Sequence, residues 1–315
     1  MKTDFLSDLS GIVTQNEPLA SHTCLRVGGP ARWFARPRSI DHVRELVRRC
    51  NSEGVEFLPL GLGANLLVSD EGVDALVIRL GEPVFQSVDW GNEDARKRDK
   101  PVTISVAAGT DMYRLTSDAV RSGLGGLERM AGIPGTIGGI LRMNAGGRFG
   151  NICDVVHHVT VVDAAGELRT LSRKEAGFRY RGSNLGGTVV CSAGLTLEPA
   201  DPDQLKARFR EIWEMKKNTQ PLADNSAGCV FKNPPGASAG GLIDQAGLKG
   251  RRVGGAVVSP RHANFIVTEA GATAQDVLTL IGIIRREVAD RFGVEFETEV
   301  QIWGRRRLRA GEPIR

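Results

Sequence analysis

The stretch Asn225 to Gly236, NSAGCVFKNPPG, sets Cys229 among small residues, just ahead of Lys232 and Asn233. A sulfur in that setting has five uses: packing, half of a disulfide, a metal ligand, a nucleophile or a proton donor. The five cysteines, Cys24, Cys50, Cys153, Cys191 and Cys229, are odd in number and widely spaced, without a CxxC pair or a Cys/His cluster. A disulfide framework or a structural zinc site is therefore not expected, and no metal is assigned. Glycine clusters carry the other chemical signal. LPLGLGANLLVSD has Gly61 and Gly63 after an extended run, superficially like a dinucleotide-binding turn. Such a turn opens a helix and needs a third glycine, whereas this segment runs on toward another strand pattern. The alternative is that backbone N–H groups of GLGAN and AGIPGTIGG face a diphosphate, since glycine lets the chain approach an anion closely. Taken singly, each loop also reads as an ordinary turn.

The elements that must position these residues alternate between helical and extended patterns. SIDHVRELVRRCNSEG has Val43, Leu46 and Val47 at helical spacing and stops at Gly54. VEFLPLG, VDALVIRL and VTISVAAG read as strands, and DMYRLTSDAVRSG as a helix with Leu115, Ala119 and Val120 on one stripe. Residues 123 to 150 are glycine-rich and show no periodic element. A loop of that length with apolar content points to function. Extended patterns resume in HHVTVVDAAGELRTLS, with DAAGE as a hairpin turn, and continue through GTVVCSAGLTLEP. At Asp201 the composition turns helical, which marks the expected domain boundary; Leu205, Phe209, Ile212 and Met215 or Lys216 share a side. A last helix is expected over TAQDVLTLIGIIRREVADRFG, with Thr273 as N-cap, Asp276 completing a variant capping box and Gly293 as the stop.

With 315 residues, two or three modules are the default. Hydrophobic content of 41% and charged content of 25% are globular values that exclude a disordered or fibrous chain. The 41 basic and 37 acidic residues are interspersed, so the +4 net charge fits an anionic small-molecule substrate as well as nucleic acid. Neither a signal peptide nor an apolar run long enough to span a membrane is visible, so a cytoplasmic location is expected. The basic run GRRRLRAGEPIR at 304 to 315 reads as a solvated tail.

Nine motifs occur in one order: TCLRVGGPA, LGLGANLLVSD, GLGGLERMAGIPGTIGG, MNAGG, YRGSNL, AGCVFKNP, LIDQAGLKG, SPRHANFIV and FETEVQIWG. From about Leu19 to Gly304 the chain closely resembles the UDP-N-acetylenolpyruvoylglucosamine reductase (UDP-N-acetylmuramate dehydrogenase) family, in the shorter type lacking an extra tyrosine-bearing loop. The resemblance implies an α+β fold. An FAD-binding region of the vanillyl-alcohol-oxidase (PCMH) type would cover 19–200 in two subdomains, about 19–82 and 83–200. A substrate domain would follow over 201–304, ahead of a tail at 305–315.

It also implies a chemistry: NADPH reduces non-covalent FAD, and hydride then passes from the flavin to the enolpyruvyl CH2 carbon of UDP-N-acetylglucosamine enolpyruvate. The product is UDP-N-acetylmuramate, a peptidoglycan precursor. By the same resemblance Arg181 holds the carboxylate or enolate and Glu299 assists at that centre. Cys229 stands where the family usually has serine, and would donate the proton. A free thiol with a pKa of about 8.5 is mostly protonated at neutral pH and is a better acid than an alcohol. Lys232, Asn233, Lys249 and His262 are expected at the nucleotide-sugar. Gly61, Gly63, Ala64, Asn65, Gly135, Thr136, Ile137, Gly138 and Asn144 are expected at FAD; Ala64 replaces a serine common in the family. Nucleic acid is not an expected partner, and the sequence gives no reason to expect an oligomer. Two alternatives stand beside this reading: another FAD oxidoreductase of the same fold, and a non-catalytic UDP-sugar-binding regulator.

Overall fold

The computed structural model describes residues 5–91 and 100–304, so the basic run from 305 onward lies outside the described residues. The chain forms two compact units. Among the described residues, one comprises 5–14, 33–61, 75–91 and 100–215; the other comprises 15–32, 62–74 and 216–304.

In the first unit, antiparallel strands Val102–Ala107, Val156–Val162, Leu168–Ser172 and Val189–Pro199, with the two-residue strands Val88–Asp89 and Leu124–Gly125, build a six-stranded sheet, the 11-residue strand Val189–Pro199 lying between Val156–Val162 and Val102–Ala107. The central pairings let alternate side chains enter one core, where Ile104, Val106, Val159, Ala193 and Leu195 are buried with Met112, Leu115 and Ala119 of the helix Met112–Arg121. DAAGE closes the hairpin between Val156–Val162 and Leu168–Ser172, Asp163 and Glu167 being joined across it. A second core in this unit gathers Trp33, Val43, Leu46, Val47, Leu76 and Ile78. Its helix Ile40–Glu53 is capped by the Ser39 hydroxyl at one end and by left-handed Gly54 at the other. Beside it, strand Phe57–Leu60 runs parallel to Val73–Arg79, with Phe57 opposite Leu76.

The glycine-rich stretch is more ordered than its sequence suggests. Residues Ile137–Arg142 form a short helix, and Ile137, Ile140 and Leu141 are buried on it. Gly138 and Gly139 inside that turn mask its periodicity.

In the second unit a four-stranded sheet runs in the order Ser226–Cys229, Phe265–Thr268, Ala256–Val258, Arg252–Val253. The helix Ala274–Phe292 covers its core through Val277, Leu280, Ile281, Ile284 and Val288. The capping box of Thr273 and Asp276 is present with both hydrogen bonds, and Gly293 ends the helix in the left-handed region. The Asp70 carboxylate accepts the Ala274 and Gln275 amides at 2.8 and 2.9 Å, so this helix end is satisfied twice over.

Candidate functional site

In the first unit a cleft is lined by Leu60, Gly61, Ala108, Gly109, Thr136, Gly138, Gly139 and Arg142. Its floor is backbone-rich because side chains do not fit. A Cβ at Gly61 would lie 2.5 Å from the Thr136 Oγ1, and one at Gly138 would lie 3.2 Å from the Ala108 Cβ. The two glycine segments singled out in the sequence therefore meet here. The amides of Ile137 and Gly138 donate to the Thr110 and Ala108 carbonyls at 3.0 and 2.8 Å. They fix the loop against the strand end and leave it to neighbouring atoms to face an anion. Ile137 is wholly buried, Gly135 adopts φ 151°, and Thr136 is 8% exposed.

Arg181 lies in the same unit, on the turn Arg179–Gly182. The Gly182 amide donates to the Arg179 carbonyl at 3.1 Å and the Arg179 amide returns a bond to the Gly182 carbonyl at 2.9 Å. Arg181 has φ 51°, and Asn144 has φ 43°. Left-handed backbone is uncommon for side-chain-bearing residues and concentrates where a site must be held in one geometry. The Arg181 guanidinium carbon is 5.2 Å from the Tyr180 ring centroid. Asn144 is buried, and its side chain serves other backbone: Nδ2 donates to the Arg179 carbonyl at 3.0 Å while Oδ1 accepts from the Cys153 amide at 3.3 Å.

The second unit gathers the remaining candidates. Cys229 ends a strand and pairs with Phe265, after an irregularity at which Gly228 takes φ 74°. On the other side of the same segment, the Val230 carbonyl accepts from the Glu299 amide at 2.8 Å, Phe231 bridges Thr298, and the Lys232 amide donates to the Glu297 carbonyl at 2.9 Å. Cys229 is thus one residue from the backbone bond that fixes Glu299, and both are partly buried. Asn65 joins this group: its Nδ2 donates to the Glu299 carbonyl at 3.2 Å, and its carbonyl accepts from the Gln301 amide at 3.0 Å. Gly63 accepts the Cys24 amide at 3.1 Å, and Ala64 is half-buried between them.

The lysines come with carboxylates. Lys232 is paired with Glu297, and Lys249 with Asp244 at 2.7 Å. Asn233 Oδ1 accepts from the Ala239 amide at 3.0 Å, closing the loop before the helix Ala239–Gln245. The His262 ring packs edge-on against Phe265 at 4.8 Å, and its Nδ1 accepts the Asn264 amide at 3.2 Å, which leaves the ring proton on Nε2. Burial, first, and the nearby Lys249 charge push its pKa below the ordinary histidine value. Burial likewise raises the thiols of Cys50, to about 12, and Cys191, to about 11. All five cysteines are free, and no group of three or more His, Cys, Asp or Glu among the described residues can hold a metal ion. No helix of the described residues is long and apolar enough to cross a membrane.

A structural asparagine also escaped the sequence reading. Asn264, 3% exposed, grips the Phe231 peptide from both ends: Oδ1 accepts its amide at 2.9 Å and Nδ2 donates to its carbonyl at 2.8 Å. The only signal in the sequence is a polar residue between Ala263 and Phe265 in an otherwise apolar run.

Family models match two parts of the chain, an FAD binding domain over 31–172 and the C-terminal domain of UDP-N-acetylenolpyruvoylglucosamine reductase over 220–303. A UDP-N-acetylenolpyruvoylglucosamine reductase 2 from Symbiobacterium thermophilum is 44% identical, the alignment covering 93% of each chain. One from Bacillus licheniformis is 38% identical over 94% of this chain and 96% of its own. The crystal structure of the Thermus caldophilus reductase superposes with a TM-score of 0.78 at 38% identity, over 92% of this chain and 98% of that one. The expected α+β fold, with an FAD-binding region of the PCMH type and a C-terminal domain, is the fold observed. On this sequence likeness over nearly the whole chain, and on the shared fold, the protein is an enzyme of the UDP-N-acetylenolpyruvoylglucosamine reductase family.

Proposed function

We propose that the protein reduces the enolpyruvyl double bond of UDP-N-acetylglucosamine enolpyruvate to give UDP-N-acetylmuramate, with FAD as cofactor and NADPH as reductant, in the cytoplasm. The observation that carries this reading is the placement of Cys229 beside the Val230–Glu299 backbone bond, inside the segment matched by the reductase C-terminal model. A same-fold oxidase or a simple nucleotide-sugar binder gives no reason for a thiol and a carboxylate on adjoining, mutually bonded segments.

The first unit fits a flavin: Gly61 packs closely on Thr136 and Gly138 on Ala108, so two glycine segments meet along one cleft whose lining can face a planar or anionic group. Gly61, Gly135, Thr136, Ile137 and Gly138 would hold it from this unit. FAD, when bound, supplies hydride to the CH2 carbon. The chain's own part is the charge and the proton. Arg181 offers a planar guanidinium fork to the substrate carboxylate, whose neighbouring carbon gathers negative charge as the double bond is reduced. Glu299 helps to hold that centre. The Cys229 thiol delivers the proton to the carbon next to the carboxylate, and the thiolate formed is reprotonated from solvent. Lys232, Asn233, Lys249 and His262 would take the diphosphate and sugar. Glu297 and Asp244 occupy the two lysines in the meantime, and the incoming anion would replace them.

Stopped-flow measurement of the two half-reactions tests the assignment. Cys229→Ala should slow reoxidation of reduced flavin by the enolpyruvyl substrate far more than it slows flavin reduction by NADPH, and Cys229→Ser should recover much of the loss. Reoxidation at the wild-type rate in Cys229→Ala would falsify the proton-donor role.

A further inference from the structure

The left-handed residue Asn144 ends the helix Ile137–Arg142 in a particular way. The Ala145 amide bonds to the Ile140 carbonyl at 2.9 Å and the Asn144 amide to the Leu141 carbonyl at 3.1 Å, the paired bonds of a Schellman helix end. Glycine is the usual residue at that left-handed position because it has no Cβ to strain. Asparagine here is a costlier backbone choice, so its side chain should have a use that glycine lacks.

That use is visible in its hydrogen bonds. Nδ2 donates to the Arg179 carbonyl, the same oxygen that accepts the Gly182 amide and closes the turn over Tyr180 and Arg181. Both lone pairs of the turn-closing carbonyl are thereby filled, one from within the turn and one from Asn144. A second tie runs alongside: the Ser183 hydroxyl donates to the Arg142 carbonyl at 2.8 Å. The last residue of the cleft-lining helix and Asn144 just beyond it therefore grip the turn on both flanks of Arg181, which is itself held at φ 51°.

We propose that Asn144 is a positioning residue for Arg181: from the end of the helix Ile137–Arg142, its carboxamide fixes the turn that presents the guanidinium to the substrate carboxylate. The inference rests on the carboxylate-binding reading of Arg181. Without the Nδ2 donor the turn keeps its internal bond and the Ser183 tie but loses its anchor on the Arg179 side, and the guanidinium samples more than one direction. A misplacement of about 1 Å at such a group costs up to about 100-fold in rate.

The test uses the full-length flavoprotein. Asn144→Gly preserves the left-handed helix end while deleting the clamp. It should reduce the rate of reoxidation by substrate about 10- to 100-fold more than the rate of NADPH-driven reduction. It should also weaken calorimetric binding of the enolpyruvyl substrate while leaving that of UDP-N-acetylglucosamine, which has no carboxylate, near wild type. In an Arg181→Lys background the same substitution should add less than about twofold, because the two act as one unit. Should Asn144→Gly fail to fold, Asn144→Asp, which keeps the acceptor for the Cys153 amide but not the donor, serves the same comparison. Multiplicative losses in the double variant, or a loss shared equally by both ligands and both half-reactions, would overturn the proposal and leave Asn144 a structural cap. If Arg181→Lys alone reoxidises like wild type, the reading of Arg181 fails, and the proposal with it.

Discussion

The turn carrying Arg181 and the strand carrying Cys229 are both steadied by a buried asparagine, but the backbone is bent in different places. At the turn, Arg181 itself adopts the left-handed conformation, and Asn144 reaches one carbonyl of the turn. At the strand, the neighbouring Gly228 takes the positive φ, Cys229 rejoins the ladder opposite Phe265, and Asn264 holds both ends of the next peptide but one. The difference teaches where strain is stored: in the first case on the residue assigned to chemistry, in the second on a glycine that tolerates it. The strand should therefore resist loss of activity by relaxation, while the turn should gain stability when glycine replaces its functional residue.

The comparison breaks most visibly at Asn264. Asn264→Ala strips partners from the buried Phe231 N–H and C=O together, and each unsatisfied group costs about 1–3 kcal/mol. A loss of about 3 kcal/mol in urea unfolding is expected, larger than that of Asn144→Gly, which leaves the turn's internal bond intact. A loss below about 1 kcal/mol would mean that solvent substitutes for the amide, and the double grip would lose its significance.

Gly228→Ala is the next test. Nothing lies within 4 Å of a Cβ built there, so the whole cost is the dihedral at φ 74°. About 1–2 kcal/mol of destabilisation is expected. A neutral Gly228→Ala would show that the glycine is not where this strand keeps its strain. The opposite sign is expected at the turn. Arg181→Gly should abolish substrate-dependent reoxidation yet raise stability by up to about 1 kcal/mol, since glycine accepts φ 51° freely. A destabilised Arg181→Gly would place the strain elsewhere and remove the contrast.

What the sequence made legible follows the range of the interaction. Ser39 with Gly54, and Thr273 with Asp276 and Gly293, cap their helices as expected because every partner lies within one turn. The helix Ile137–Arg142 was hidden by its internal Gly138 and Gly139, although Ile137, Ile140 and Leu141 have the spacing of one buried face. Motif order brought out the candidate residues, but not what holds them. Asn65 and Glu299 are joined across 234 positions, and Asn264 reaches Phe231 across 33, so only the folded chain pairs them. The carboxylates on the two lysines went unseen for different reasons: Asp244 lies five positions from Lys249, and an acidic residue that near a lysine is too common to signal a pair, whereas Glu297 meets Lys232 only across 65 positions of the folded chain.

The smallest expected effect lies at His262 and bears on the strand side of the comparison, because the ring packs on Phe265, the partner of Cys229. Its pKa is lowered in the folded protein by burial and, secondarily, by Lys249, whereas in the unfolded chain it regains the ordinary value of about 6.5. Above that pH both states are neutral and the residue contributes no pH dependence. As pH falls below it, the unfolded chain takes up the proton before the folded one does, so stability declines down to the folded pKa and then levels. Protonation would also turn Nδ1 from acceptor into donor, against the Asn264 amide that now donates to it at 3.2 Å. His262→Asn keeps an acceptor near Nδ1 but cannot titrate, so urea midpoints measured from pH 7.5 down to 5 should fall less steeply than for wild type, with the two curves converging near neutrality. Parallel curves would show that the ring is solvated in both states, and that the strand opposite Cys229 is insensitive to mild acid.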